Sequence, residues 1–314
     1  MDPSSIESLD AVTTLLGPKS RANSNIRDRH GRTPLHIAVS REGIDVDIQR
    51  QLLDAGCDPN AEDLKGKTPL HLACNSASPG SLAAVRELLQ RGSKPIIQDS
   101  VNHFTPLNNL VHESLPRCPW DCEGKIGALV AAGADINIAD KCGCPPVLNA
   151  AAIPWDATLL EIILRIKGLQ LDVRDTFGRG LLHYAAAYGD MGQIQVLRQH
   201  QRGFPSSVVF LDTKANDRYR HTPLSLMEWR ARTLTRKLWA NMRRPTADEI
   251  DSFRAFLVTI EEVREDAHHG RIRERSHEAN RMEGEEEADV EMTEIASAED
   301  EDVEEMFVDA LEHQ

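Results

Sequence analysis

Gly66-Lys-Thr-Pro-Leu-His71 decides the reading of this chain, because the same words recur along it. Upstream stands Gly31-Arg-Thr-Pro-Leu-His36, and downstream His103-Phe-Thr-Pro-Leu-Asn108. Looser copies follow as Gly143-Cys-Pro-Pro-Val-Leu148, Gly178-Arg-Gly-Leu-Leu-His183 and Arg220-His-Thr-Pro-Leu-Ser225. An aspartate opens each unit, at Asp28, Asp63, Asp99, Asp140, Asp175 and Asp217, with spacings of 35, 36, 41, 35 and 42 residues. A period of this size marks a stack of small units, none of which can bury its own faces alone.

Each word has a physical reading. Thr-Pro opens a helix: Thr33 can cap the backbone donors, and Pro34 sits where no N–H is needed. His36, His71 and His183 are placed to bridge backbone groups of neighbouring turns, a structural role. Ala38, Ala73 and Ala150 keep the first helix of a unit narrow, so units can stack closely. Leu52, Leu53, Leu88, Leu89, Ile163 and Leu164 supply the apolar stripe of a second helix. A second anchor, Leu52-Leu-Asp-Ala-Gly-Cys-Asp-Pro-Asn60, returns as Leu129-Val-Ala-Ala-Gly-Ala-Asp-Ile-Asn137. In it, Gly56 and Gly133, like Gly92 and Gly168, fall where a helix ends in a left-handed residue.

These motifs resemble the ankyrin-repeat family over residues 25–230. Within it, Thr222-Pro-Leu-Ser-Leu-Met-Glu-Trp229 resembles the last repeat of filamentous-fungal ankyrin proteins. The resemblance implies an all-α solenoid of helix-turn-helix-hairpin repeats and an interaction scaffold whose partners it does not name. It also implies that hairpin tips and neighbouring first helices form the contact surface, and that hairpin asparagines such as Asn60 and Asn137 are of a kind that can be hydroxylated.

The expected organisation is an N-terminal capping half-repeat over 1–27, where Ile6, Leu9, Val12, Leu15 and Leu16 have helical spacing. Six repeats follow over 28–230: 28–62, 63–98, 99–139, 140–174, 175–216 and a partial 217–230. A C-terminal capping helix is expected within 231–265, opened by the capping box Thr246-Ala-Asp-Glu249 and carrying Ile250, Phe253, Phe256, Leu257, Ile260 and Val263 on one stripe. Residues 266–314 read as a disordered, charged tail. Regular geometry is least secure at the insertion 114–124, at Pro145-Pro146 and at the exit 202–207. Asp121 and Asp156 read as N-caps of second helices, with Trp155 stapled on Leu160.

Charge separates body from tail. The 314 residues carry a net charge of −14, yet residues 283–314 hold 15 acids and no Lys or Arg, which leaves 35 acids against 36 bases elsewhere. Aligned tips read Arg29, His30, Arg32, Leu64, Lys65, Lys67, Ser100 to Phe104, Lys141, Cys142, Cys144, Thr176, Phe177, Arg179, Arg218, Tyr219 and His221. Seven are basic and none is acidic, which predicts a basic strip able to capture an acidic segment. Tyr188, Trp229 and Arg230 add aromatics and an arginine at matching first-helix positions, a composition suited to binding hot spots. In the tail, Val303, Met306, Phe307, Ala310 and Leu311 share one face of a short helix with acids opposite, as in activation-domain segments and helix-in-groove ligands.

Other functions find little support. Aromatics make up 4% of the chain, and no apolar run exceeds five residues, so none can span a bilayer. Met1-Asp-Pro-Ser-Ser lacks the basic and apolar regions of a secretory signal, so the six cysteines are expected to be reduced thiols in the cytosol or nucleus. Cys118, Cys122, Cys142 and Cys144 could furnish four thiolates, but C-x-C fits one tetrahedral zinc poorly, and no metal or cofactor is expected. No P-loop, nucleophile elbow or metalloprotease motif is present, nor any groove-reading element for nucleic acid. Arg236-Lys237 and Arg243-Arg244 would serve a nuclear import signal. The expectation is a non-catalytic adaptor or scaffold that binds protein partners, cytoplasmic or nuclear, with a transcription coregulator using the acidic tail as the second reading.

Overall fold

The structure is a computed structural model that describes residues 25–40, 45–78, 80–113, 121–153, 157–203, 211–233 and 244–282. The chain divides into two compact units, residues 1–267 and 268–314. Outside the described residues lie the expected cap helix before Asn25, most of the insertion with Cys118, Trp155 and Asp156, Arg236, Lys237 and Arg243, and the acidic segment with Val303, Met306, Phe307 and Leu311.

Twelve helices are seen among the described residues. First helices of the six repeats are α1 (Pro34–Ser40), α3 (Pro69–Asn75), α5 (Pro106–Glu113), α7 (Pro146–Ala151), α9 (Leu181–Tyr188) and α11 (Pro223–Arg232). Alternating with them are α2 (Val46–Asp54), α4 (Ser81–Gln90), α6 (Cys122–Ala131), α8 (Thr158–Leu164), α10 (Met191–Gly203) and α12 (Ala247–Met282). Each first helix packs on the next first helix, and second helices from α2 to α10 form a parallel row behind them. Leu35, Leu70, Leu107, Val147 and Leu182 of the first row and Leu52, Val85, Leu88, Leu129 and Ile163 of the second are buried in one continuous core. Ala73, Ala150 and Ala185 lie in that core too, where their small side chains let the rows approach.

Local chemistry explains the ends of these helices. In α3 the Thr68 N–H and hydroxyl both engage His71 Nδ1, at 3.1 and 2.9 Å, the reciprocal cap that Thr-Pro-Leu-His encodes. At the far end of α2, Cys57 N–H donates to Leu52 O and Gly56 N–H to Leu53 O, both at 3.0 Å. That double bond pattern needs the left-handed backbone Gly56 supplies at φ 85°. Asp121 stands at the N-cap of α6, although its side chain makes no capping bond there. For α8 the N-cap is Ala157, not Asp156.

The C-terminal helix begins as the capping box requires. Thr246 N–H donates to Glu249 Oε2 at 2.8 Å, and Glu249 N–H to Thr246 Oγ1 at 3.2 Å. Its stripe of Phe253, Phe256, Leu257 and Ile260 is buried. Side chains on the same helix reach α10: Arg198 donates to Ser252 Oγ, and Thr259 to Gln201 Oε1. The helix continues to Met282, beyond the expected boundary at 265. Arg and Glu make up six of the eleven residues 271–281, and both have high intrinsic helix propensity.

Candidate finger surface

Each repeat opens with a hairpin finger, and one carboxylate builds it. Asp63 Oδ1 accepts the N–H groups of Lys65 and Lys67 at 2.8 and 2.9 Å. Asp28, Asp140, Asp175 and Asp217 make the same pair of bonds, and Asp99 makes a shifted one to Val101 and Asn102. Burial works against the charge on Asp28, yet the Arg32 and His30 amides and the Arg32 guanidinium hold its carboxyl down at about 2. One carboxylate oxygen in each finger is therefore committed to the backbone.

Fingers are then tied to one another. Leu64 N–H donates to His30 O, Ser100 to Lys65 O, Lys141 to Asn102 O, Thr176 to Cys142 O and Arg218 to Phe177 O, all at 2.8–3.0 Å. Beneath this ladder, His36 Nε2 bonds Lys67 O, His71 Nε2 bonds Phe104 O and His183 Nε2 bonds His221 O, each at about 3 Å. With Nδ1 accepting from its own cap, each of these histidines is a neutral Nε2–H donor. Burial lowers all three pKa values, and His71 falls to about 4. In repeat 3 an amide does the same work: Asn108 Nδ2 donates to Ile138 O at 3.0 Å.

A tight turn at the fingertip requires positive φ. Gly31, Gly66, Gly143 and Gly178 supply it at 73–76°. A Cβ on Gly66 would stand 2.6 Å from Ser100 N, so the next finger also excludes a side chain there. Two residues break the pattern: His103 at φ 55° and Arg220 at φ 63°. Left-handed backbone costs an ordinary L-residue roughly 1–2 kcal/mol.

The seven basic residues predicted at the tips separate into two sets. Those next to or near the opening aspartate, Arg29, Lys65, Lys141 and Arg218, are exposed. The three that precede Thr or Gly at the helix start are committed elsewhere, which corrects their reading as a free strip. Arg32 forks onto Asp28 Oδ2 through Nε and Nη2 at 2.9 and 2.8 Å. Lys67 Nζ donates to Asn109 Oδ1 at 2.9 Å. Arg179, 13% exposed, holds Asp175 Oδ2 at 2.7 and 2.8 Å and lies 4.9 Å from the Phe177 ring centre and 5.4 Å from that of Tyr184.

Further corrections concern the first helices. Arg230 is fully buried, and its guanidinium donates to Ala186 O at 2.9 Å and to Gly189 O at 3.1 and 3.2 Å. It closes the C-terminal end of α9 and is no partner contact. Trp229 and Tyr188 are half-buried against the core, and Trp229 tilts over His221 at 6.1 Å. Burial raises the Tyr188 pKa. Tyr184, buried, donates its hydroxyl to Asp175 Oδ2 and contacts Cys144 Sγ, both at 3.0 Å. Burial pushes the Cys144 thiol up to about 12. Cys122 is buried in α6 and Cys142 exposed at a tip, and among the described residues no cluster of three or more His, Cys, Asp or Glu is placed to hold a metal. His30 is exposed beside Arg29. Phe177 is half-buried and stacks with Tyr219, 45% exposed, at 6.4 Å between ring centres.

Two structural devices escaped sequence reasoning. Lys125, wholly buried, crosses from α6 to donate to Ser76 O at 2.6 Å at the end of α3. Asparagine clamps join successive repeats: Asn60 Nδ2 donates to Gly92 O while Lys94 N–H returns to Asn60 Oδ1, and Asn137 does likewise with Gly168 and Gln170. Asn25 repeats the clamp on Gly56 and Asp58. The recurrence of Asn at the second anchor was the available signal for the clamps. Nothing in the pattern marked Lys125, because its partner lies 49 residues away.

Comparison with known proteins agrees with this architecture. Residues 4–99 match the family model of ankyrin repeats in three copies. The chain is similar in structure to the ankyrin repeat domain of Bcl-3, described as a unique member of the IkappaB protein family. That likeness has a TM-score of 0.54 and 22% identity, covering 78% of this chain and 91% of the other. A second match, to the structure of the Bd0816 predatory endopeptidase from Bdellovibrio bacteriovorus in complex with immunity protein Bd3460, has a TM-score of 0.49 and 21% identity over 65% of this chain and 92% of the other. No curated protein sequence matches significantly.

Proposed function

We propose that this chain, an ankyrin-repeat protein, is a non-catalytic adaptor that binds protein partners through its finger face. The observation that carries the reading is the sorting of charge at the tips. Arg29, Lys65, Lys141 and Arg218 are exposed, while each aspartate of the same fingers commits Oδ1 to backbone N–H groups. A preformed row of cations on a hydrogen-bonded ladder favours an acidic segment and lowers the ordering cost of binding. The groups most apt for chemistry are occupied structurally: both nitrogens of His36, His71 and His183 are bonded, and Cys144 is engaged by Tyr184.

The test is proximity labelling from the native locus with Arg29, Lys65, Lys141 and Arg218 all changed to Glu. Loss of the labelled partner set with an unchanged melting temperature is expected. An unchanged partner set would contradict the finger-face reading.

A second reading rests on the pattern Val303, Met306, Phe307, Leu311 within the acidic segment. It makes the chain a transcription coregulator that holds a transcription factor on the repeats and recruits machinery through that segment. It requires nuclear residence and loss of reporter output on Phe307→Ala, and full output from that variant would end it.

A further inference from the structure

The last finger, Arg218-Tyr219-Arg220, departs from the glycine-tipped fingers, as finger 3 does at His103. By alignment on Asp217 and Thr222, Arg220 occupies the place of Gly31, Gly66, Gly143 and Gly178. Its backbone keeps their left-handed conformation, at φ 63°. At Gly31, Gly66 and Gly143 glycine serves two needs, the positive φ and the close approach of the following finger, whereas at Gly178 a Cβ would stand at least 3.7 Å from the next finger. A Cβ at Gly31 would stand 2.9 Å from Leu64 N, and at Gly143 3.1 Å from Thr176 N. Among the described residues no finger follows the sixth repeat's. The cost of positive φ persists, and the arginine's own backbone bears it.

What stands around Arg220 gives that cost a use. Arg218 and Arg220 are exposed, and Tyr219 between them is 45% exposed. Tyr219 stacks on Phe177 of the preceding finger, and Arg179, braced by Asp175, underlies Phe177. The nearby acids are turned away: Asp217 Oδ1 accepts from Tyr219 and His221, and Asp175 is buried. The result is a stacked aromatic pair with two exposed arginines beside it, and Arg with aromatics is what binding anchors use.

Resting on the adaptor reading above, we propose that the sixth finger, through Arg218, Tyr219 and Arg220 with Phe177 beside them, is the anchor point for an acidic, extended segment of a partner protein. Carboxylates of that segment take the two guanidinium groups in fork geometry, and an apolar side chain lies on the Phe177–Tyr219 pair.

The test exploits the strain. A fluorescein-labelled peptide alternating Glu with Leu and Phe is titrated against the full chain by anisotropy, and each variant is also melted. Arg220→Gly is expected to raise the melting temperature by about 2 °C, since relieved strain stabilises a domain by that order. The same variant is expected to weaken the peptide about tenfold, as is Tyr219→Ala. His103→Gly relieves a like strain in finger 3 and should leave affinity unchanged. Arg29→Ala with Lys65→Ala, which removes finger cations but leaves the Phe177–Tyr219 pair intact, should weaken the peptide less than Arg220→Gly does. Full affinity in Arg220→Gly, or no binding by the unaltered chain, would overturn the proposal. If the Arg29, Lys65 pair weakens the peptide and Arg220→Gly does not, the anchor is misplaced while the finger-face reading stands.

Discussion

Repeats 1 and 2 and repeats 5 and 6 share one backbone plan and differ in what they place on it. At the N-terminal end, Thr33 and Thr68 cap their helices through His36 and His71. The tips there carry flexible side chains, with Leu64 75% exposed between finger cations. At the C-terminal end, Gly180 replaces Thr, yet His183 still bridges to His221. The space near the fingers is filled by Phe177, Tyr184, Tyr188, Tyr219 and Trp229, which include all three tyrosines of the chain. Cap and bridge thus vary separately: Gly180 keeps the bridging histidine without a hydroxyl cap, and Thr105 keeps the cap while Asn108 makes the bridge. Spare variation at the C-terminal end has gone into rings and a buried polar network.

That contrast can be broken most severely at Arg230. Arg230→Ala leaves the Ala186 and Gly189 carbonyls without their donor and opens a cavity, and should cost about 3–4 kcal/mol. Because repeats couple mainly to their neighbours, the loss should appear in α9 to α11 by amide exchange while α1 to α4 keep their protection. Uniform loss along the stack would show the two ends fold as one unit.

Acid comes next. A histidine whose folded pKa is lowered stabilises fully above its unfolded value of 6.5, and that contribution is lost as pH falls through the folded value. For His71, held near 4 by burial, the loss between those limits approaches about 3 kcal/mol. His36 and His183 act in the same direction. His71→Asn copies the bridge that Asn108 makes in repeat 3, and should flatten the acid limb of a urea-midpoint curve against pH. An unaltered acid limb would remove His71 as its source.

Arg179→Lys is a milder probe of the C-terminal network. A lysine cannot fork onto Asp175 while lying over Phe177 and Tyr184, so about 1–2 kcal/mol should be lost by chemical denaturation. The smallest effect is expected from Leu64→Ser, which removes an exposed side chain and should move stability by less than about 0.5 kcal/mol.

Much of the fold was legible because it is written locally. Thr-Pro-Leu-His specifies a helix start and its bridge within one turn, and Thr246 with Glu249 specifies the start of α12. The family model ends at residue 99, before Thr105-Pro106 and well short of Pro145-Pro146 and Gly180-Leu181, yet the helix pairs carry on. Less of the surface was legible. Lys65 and Lys67 are two residues apart, but one is exposed and the other is drawn to Asn109, and only packing decides which. Arg230 read as a contact because its partners, Ala186 and Gly189, are more than 40 residues away. Arg220 was visible as an arginine in a glycine's place, a local rule broken at an exposed site.

Amide hydrogen exchange of the full chain, with and without the acidic peptide, tests the central claim most directly. Added protection that is largest at Thr176, Phe177 and Arg218 to Arg220, and smaller at Leu64 and Lys65, is the predicted result. Protection confined to the second-helix row, α2 to α8, would contradict it and place recognition on the opposite side of the repeats.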